Sequence, residues 1–219
     1  MKIYNLKKMN FICKCKKDNF FKKKYSYWEE REVTTDELEV INFILNSNDV
    51  KFNSILHIGI GNSYFCKKFN QNSTITGITI SEKEIDKAKS MNLSNYDFFL
   101  YDKYSIEFNS FIKDKKFDLI VDTNLKSYSC CKETFTFYMN NLLKTLNNNG
   151  TLITSINGMQ WFKSLKPKLS FSFKKLFHFK LKEINGNENN ILTINELKSL
   201  SDKHNLDLFF DDKICYLKK

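Results

Sequence analysis

The chain is poor in proline and glycine. One Pro and six Gly in 219 residues exclude a collagen-like repeat, and 42% hydrophobic residues exclude a disordered low-complexity chain. Arginine is scarcer still. Arg31 stands alone in a Lys and Arg total of 35, so the cationic surface is lysine, which lacks the bidentate fork that recognises phosphate specifically. No stretch approaches the ~18 apolar residues of a membrane span. Paired Cys-x-x-Cys spacing is also missing. The cysteines are Cys13, Cys15, Cys66, Cys130, Cys131 and Cys215. Cys13-Lys-Cys15 is too short for an ordinary chelating pair and Cys130-Cys131 are adjacent, so no metal is expected. Scattered cysteines, with no apolar signal segment at the N-terminus, point to a reducing, cytoplasmic compartment.

What the chain does have is uneven charge. The net charge is +10, and it sits in two segments. Residues 1–24 hold nine Lys and one acid, and residues 161–182 hold seven Lys and no acid. The rest is mildly acidic. Such segments suit weak contact with nucleic acid or an anionic membrane. The plainer reading is a solvated leader over 1–24 and a solvated lid. The length fits one α/β domain, here 25–219.

Helix and strand signals alternate along that domain. Thr34-x-x-Glu37 is a capping box, and the helix after it puts Leu38, Ile41, Ile44 and Leu45 on one face. Strands are expected at Ser54–Ile58, Ile75–Ile80, Tyr96–Tyr101, Phe117–Asp122 and Thr151–Ser155. Ser81-x-x-Glu84 and Thr193-x-x-Glu196 are further capping boxes. Helix Glu133–Leu146 should stop at a left-handed turn in Asn147–Gly150. Two short strands, Leu206–Phe210 and Ile214–Leu217, close the chain. The pattern predicts a three-layer αβα, Rossmann-like doubly wound sheet. Residues 159–192 break the pattern with period-two aromatics, as an insertion or lid would.

The decisive stretch is Ile55-Leu56-His57-Ile58-Gly59-Ile60-Gly61-Asn62-Ser63. An apolar strand runs straight into a tight Gly-x-Gly turn, which lets backbone N–H groups approach a ligand. Dinucleotide folds carry a third glycine where Tyr64 stands here. A ring at that place crowds a pyrophosphate, so a nucleoside cofactor without phosphates fits better.

Residues 55–63, with the βαβ pattern after them, resemble the first motif of class I S-adenosylmethionine-dependent methyltransferases. The resemblance covers roughly Leu38 to Leu217. It implies S-adenosylmethionine as cofactor, a mostly parallel sheet with an antiparallel C-terminal strand, and a list of site positions. Gly59, Gly61, Asn62 and Ser63 would line the turn at the methionine part. The end of strand two normally carries an acid for the ribose hydroxyls, but Thr79-Ile80 stands there. Either Glu82 reaches back or ribose binding is weaker. The run Thr76–Ser81 is similar to that of cyclopropane-fatty-acid synthases, which also lack the acid. Asp102 matches the acceptor for the adenine amino group. Asp122, at the end of strand four, is the candidate catalytic or orienting group. Asn124, Tyr128, Trp161 and His178 are placed towards substrate. His57 reads as a core histidine, and His204 as a helix cap.

The implied function is methyl transfer to a small-molecule or lipid-like acceptor. Two alternatives stay open. One is a non-catalytic domain of this fold that binds RNA, an acidic protein or a membrane surface. The other is an aminopropyltransferase-like enzyme, which would want carboxylates at strand two.

Overall fold

The computed structural model describes residues 9–13, 33–47, 51–69, 71–159 and 191–219. Trp161, His178, the basic run 161–182 and nearly all of the expected lid lie outside the described residues. Seven strands form one sheet: β1 Ser54–Ile58, β2 Thr74–Thr79, β3 Tyr96–Leu100, β4 Phe117–Val121, β5 Leu146–Ser155, β6 Asp207–Phe210 and β7 Ile214–Lys218. Their order is β3-β2-β1-β4-β5-β7-β6. The first five pair in parallel, and β7 runs antiparallel to both neighbours.

Residue alternation along the strands feeds two cores. Leu56, Ile78, Ile120 and Leu152 pack with helices α4 (Ile106–Ile112), α5 (Lys132–Lys144) and α7 (Ile194–His204). Ile55, Ile75, Leu119, Val121 and Ile153 pack with α1 (Thr35–Asn46), α2 (Tyr64–Phe69) and α3 (Glu82–Ser90). A one-turn helix, α6 (Ile156–Met159), follows β5. This is the expected three-layer αβα arrangement. Among the described residues no helix is long and apolar enough to cross a membrane.

Several local expectations are corrected. The inward face of α1 is Glu37, Val40, Ile41 and Ile44, while Leu38 and Leu45 are exposed. That face is an i, i+3, i+4, i+7 stripe one residue earlier than the one expected. α5 stops at Lys144, where the Thr145 hydroxyl donates to the Leu142 carbonyl at 2.6 Å. Asn149 is left-handed (φ 65°), but inside β5. Between the pairs Phe117–Leu146 and Leu119–Thr151, β4 advances two residues and β5 five, so Asn147–Gly150 form a bulge. His204 is the last residue of α7, and left-handed Asn205 (φ 51°) caps it instead.

Part of the expected leader is docked. Phe11 bridges Ser105, and the Ile106 N–H donates to the Asn10 carbonyl at 2.9 Å. The Asn10 backbone and side-chain N–H groups donate to the Glu107 carboxylate at 3.0 and 2.9 Å. Met9 is buried. Residues 9–13 therefore belong to the folded body, held at the start of α4.

Candidate functional site

The strand order reverses between β1 and β4, where ligands bind off the carboxyl ends of such sheets. A cleft opens there. It is lined by Gly59 and Gly61 after β1, Thr79 to Ser81 after β2, Asp102 to Tyr104 after β3, and Asp122 to Asn124, Ser127 and Tyr128 after β4. Thr34 and Glu37 of the α1 region and Glu84 of α3 complete the wall.

The glycine turn has the shape its residues suggest. Gly59 (φ 81°) and Gly61 (φ 51°) are both left-handed, and a Cβ on either would meet nothing within 4 Å. The space beside them is the cleft itself. The Gly59 N–H donates to the Ile78 carbonyl at 2.8 Å, tying the turn to β2.

Three Ser/Thr-x-x-Glu sequences were readable as capping boxes, and one closes. At α7 the Thr193 hydroxyl and the Glu196 carboxylate each satisfy the other's backbone N–H. At α1 and α3 the hydroxyl half forms: Thr34 accepts from Glu37 N at 3.2 Å and Ser81 from Glu84 N at 3.4 Å. The glutamates turn elsewhere. Glu84 is buried in the cleft wall, and its Oε2 accepts from the Thr79 hydroxyl at 2.5 Å. Thr79 in turn accepts from Ser81 N at 3.0 Å. A carboxylate five residues beyond Thr79, in the first turn of α3, therefore lies against the end of β2. Glu82, the residue expected to reach back, is exposed.

Glu37 is the second inward glutamate. It is buried, and its Oε1 accepts from the Phe65 N–H at 3.3 Å. Burial raises its carboxyl from 4.5 to about 7; the Phe65 N–H opposes this and nearby Glu84 adds to it. His57 Nε2 lies 4.0 Å from Glu37 Oε1. Burial holds that imidazole down at about 3, so it is neutral and the contact is no ion pair. His57 is a core histidine, as expected. Between the two Glu37 values the folded chain keeps a proton that the unfolded chain has lost, so stability falls as pH rises through this window and levels off above it. Glu37→Gln is expected to remove that slope and to add roughly 2–3 kcal/mol at about pH 8. Urea midpoints at about pH 5 and about pH 8 check it.

Asp122 is not an uncommitted base. Its Oδ2 accepts from Lys103 Nζ at 2.7 Å and from the Tyr138 hydroxyl at 2.8 Å. Its Oδ1 accepts from Asn124 N at 3.2 Å. Lys103 Nζ also donates to the Asn124 and Leu125 carbonyls at 2.7 and 3.1 Å. Burial lowers the Lys103 ammonium, and Asp122 opposes the shift. Burial likewise raises the Tyr104 and Tyr138 phenols well above their ordinary range, with Asp122 adding to it. The pair fixes the loop after β4.

Asp102 lines the cleft and also holds its own loop, accepting from Tyr104 N at 2.9 Å. Asn124 and Tyr128 line the cleft. Asn62 and Ser63 do not. Ser63 is left-handed (φ 65°) and fully buried, and its hydroxyl bonds Tyr96 Oη at 3.1 Å. It anchors the turn from behind.

The family described as a methyltransferase domain matches residues 50–205. The chain belongs to that family, whose methyl donor is S-adenosylmethionine. Solved structures agree on the fold of this methyltransferase domain. NodS, an N-methyltransferase of Bradyrhizobium japonicum WM9, is 14% identical over 86% of this chain and 97% of its own, with a TM-score of 0.59. The same protein in complex with S-adenosyl-L-homocysteine matches at 14% identity, 89% and 96% coverage and a TM-score of 0.57. A TehB-like SAM-dependent methyltransferase of Corynebacterium glutamicum matches at 13%, 82% and 87%, with a TM-score of 0.53. A search of curated proteins finds no match. Neither the family match nor these structures favour the cyclopropane-fatty-acid synthases that Thr76–Ser81 resembles.

The residues present fit such a cofactor. Four carboxyl groups, Glu37, Glu84, Asp102 and Asp122, face the cleft against one ammonium, Lys103. Among the described residues three buried side-chain atoms have no hydrogen-bond partner, and one, Ser127 Oγ, belongs to the cleft wall of the methyltransferase domain. Glu37, Glu84, Lys103, Tyr104 and Ser127 were not among the positions anticipated from sequence.

Proposed function

We propose that this cleft binds S-adenosylmethionine and directs its methyl group to a small-molecule or lipid-like acceptor. The observation that carries this reading is the ring of carboxyl groups around a positive-φ glycine turn. S-adenosylmethionine is cationic at its sulfur and amine, and such a wall attracts it. A dinucleotide would bring pyrophosphate charge against the same carboxylates. When bound, the sulfonium supplies an already activated methyl, so the protein's task is alignment and exclusion of water.

Each wall then has a task. Gly59 and Gly61 offer backbone to the methionine part, and a cation bound there draws the proton off Glu37 and makes it the counter-charge. Glu84, steadied by Thr79, takes the ribose hydroxyls, to which a carboxylate makes charge-assisted bonds. Asp102 accepts from the adenine amino group. Asp122 acts through Lys103 and Tyr138 to shape the acceptor side. Asn124, Tyr128 and the unpartnered Ser127 hydroxyl face the acceptor.

Calorimetry on the purified protein tests the reading. S-adenosylmethionine and S-adenosylhomocysteine are expected to bind in the micromolar range. No binding of either up to millimolar concentration would remove the cofactor from this cleft.

A further inference from the structure

Sequence spacing argues against a metal pair, yet the fold gathers three thiols that spacing keeps apart. Cys13, on the docked N-terminal segment, meets Cys130 across 117 positions with a sulfur–sulfur separation of 3.0 Å. Cys130 and Cys131 sulfurs are 3.9 Å apart. All three sulfurs lie within 4.8 Å of one another, and each residue is half-buried. We propose that Cys13, Cys130 and Cys131 form a three-thiolate site for a thiophilic cation, zinc(II) first, on the loop that leads from the cleft into α5.

The geometry is close to what one ion requires. Thiolates bound to a single zinc at about 2.3 Å are about 3.7–4.0 Å apart in tetrahedral or trigonal arrangement. The observed separations bracket that range, so small side-chain rotations complete the site. The donor set is all sulfur, which selects soft, d10 ions over magnesium or calcium. Three protein ligands leave a fourth position for water or another donor.

Burial pushes the Cys130 thiol up, so its thiolate depends on the ion's own charge, while the helix start helps at Cys131. Cys131 is the N-cap of the 13-residue α5, where the helix dipole stabilises negative charge. The Thr134 hydroxyl, one turn in, lies 3.2 Å from Cys130 and 3.4 Å from Cys131. A bound cation would staple residues 9–13 to the loop that carries Ser127 and Tyr128. It would thereby fix one edge of the cleft. Nothing in this inference depends on which ligand the cleft takes.

The experiment uses the full chain, reduced with a phosphine and freed of metal. Cadmium(II) is titrated in while the thiolate-to-cadmium charge-transfer absorption is followed, and zinc(II) is then added as competitor. One ion per chain is expected, with the absorption lost in Cys130→Ser and affinity at least ~10-fold weaker in Cys13→Ser and Cys131→Ser. Cys66→Ser and Cys215→Ser should leave it intact. Because a serine variant can misfold, alkylation of the unmutated protein gives a second measurement. Zinc should shield Cys13, Cys130 and Cys131 together, as mapped by mass spectrometry. Substoichiometric binding, absorption that survives Cys130→Ser, or a Cys13–Cys130 disulfide forming in air despite saturating zinc would each overturn the proposal.

Discussion

Gly158→Ala is expected to destabilise the protein by about 3 kcal/mol or more, placing it among the severe single substitutions. A Cβ at Gly158 would collide with the Thr123 carbonyl oxygen, lie 2.8 Å from its carbon, and stand 3.3 Å from Asn124 Oδ1. The obstacle is backbone, which cannot rotate away as a long side chain can. It belongs to the loop whose Asp122 is held by Lys103 and Tyr138, so α6 must move or that loop must break its bonds. Gly59→Ala makes the useful contrast. It meets open space but is held at φ 81°, which costs a non-glycine residue about 1–2 kcal/mol. Urea denaturation should therefore rank Gly158→Ala well below Gly59→Ala. Equal midpoints would mean that α6 does not press on Thr123.

Glu84→Ala should weaken S-adenosylhomocysteine binding by about 100-fold, the loss of two charge-assisted hydrogen bonds at about 1.4 kcal/mol per tenfold. Thr79→Ala should cost less, about 3–10-fold, since it steadies Glu84 rather than replacing it. The informative variant is Thr79→Asp. It restores the acid that class I methyltransferases carry at the end of β2, yet here the Thr79 hydroxyl is bonded to Glu84 at 2.5 Å. A second carboxylate there repels the first, and one of the two takes up a proton. Thr79→Asp alone should bind worse than the unmutated protein, while Thr79→Asp with Glu84→Gln should recover. Calorimetry on the unmutated protein, Thr79→Asp, Glu84→Gln and the combined variant forms a double-mutant cycle. Purely additive effects would show that Thr79 and Glu84 do not serve the same hydroxyls.

The sheet was legible because its signals are local. Ile55–Ile58 is apolar, ends at a glycine turn, and has no other place in an α/β domain. The glutamates were not legible, because Ser/Thr-x-x-Glu permits two outcomes. The first glutamate oxygen can return to its own cap, as Glu196 does, or the side chain can lean inward. The one-residue rotation of α1 decides this for Glu37, and contact with Thr79 decides it for Glu84. Both are tertiary events. Lys103 was hidden for a related reason: a lysine two residues past a strand reads as solvated until Asp122 is seen 2.7 Å away. Helix α4, with seven residues, has too few turns to show a period. Cys13 meets Cys130 only because Phe11 pairs with Ser105, a contact that no local pattern announces.

The docked segment at residues 9–13 also bears on how this protein is prepared. Met9 sulfur accepts the Asp102 N–H at 3.4 Å, and Asn10 supports the first turn of α4. Trimming the chain before residue 14, a natural choice for a lysine-rich end, would remove Met9 from the Asp102 N–H and Asn10 from α4. Assays of such a shortened protein would then describe a damaged cleft edge, and a weak signal would be blamed on the enzyme instead of on the scissors.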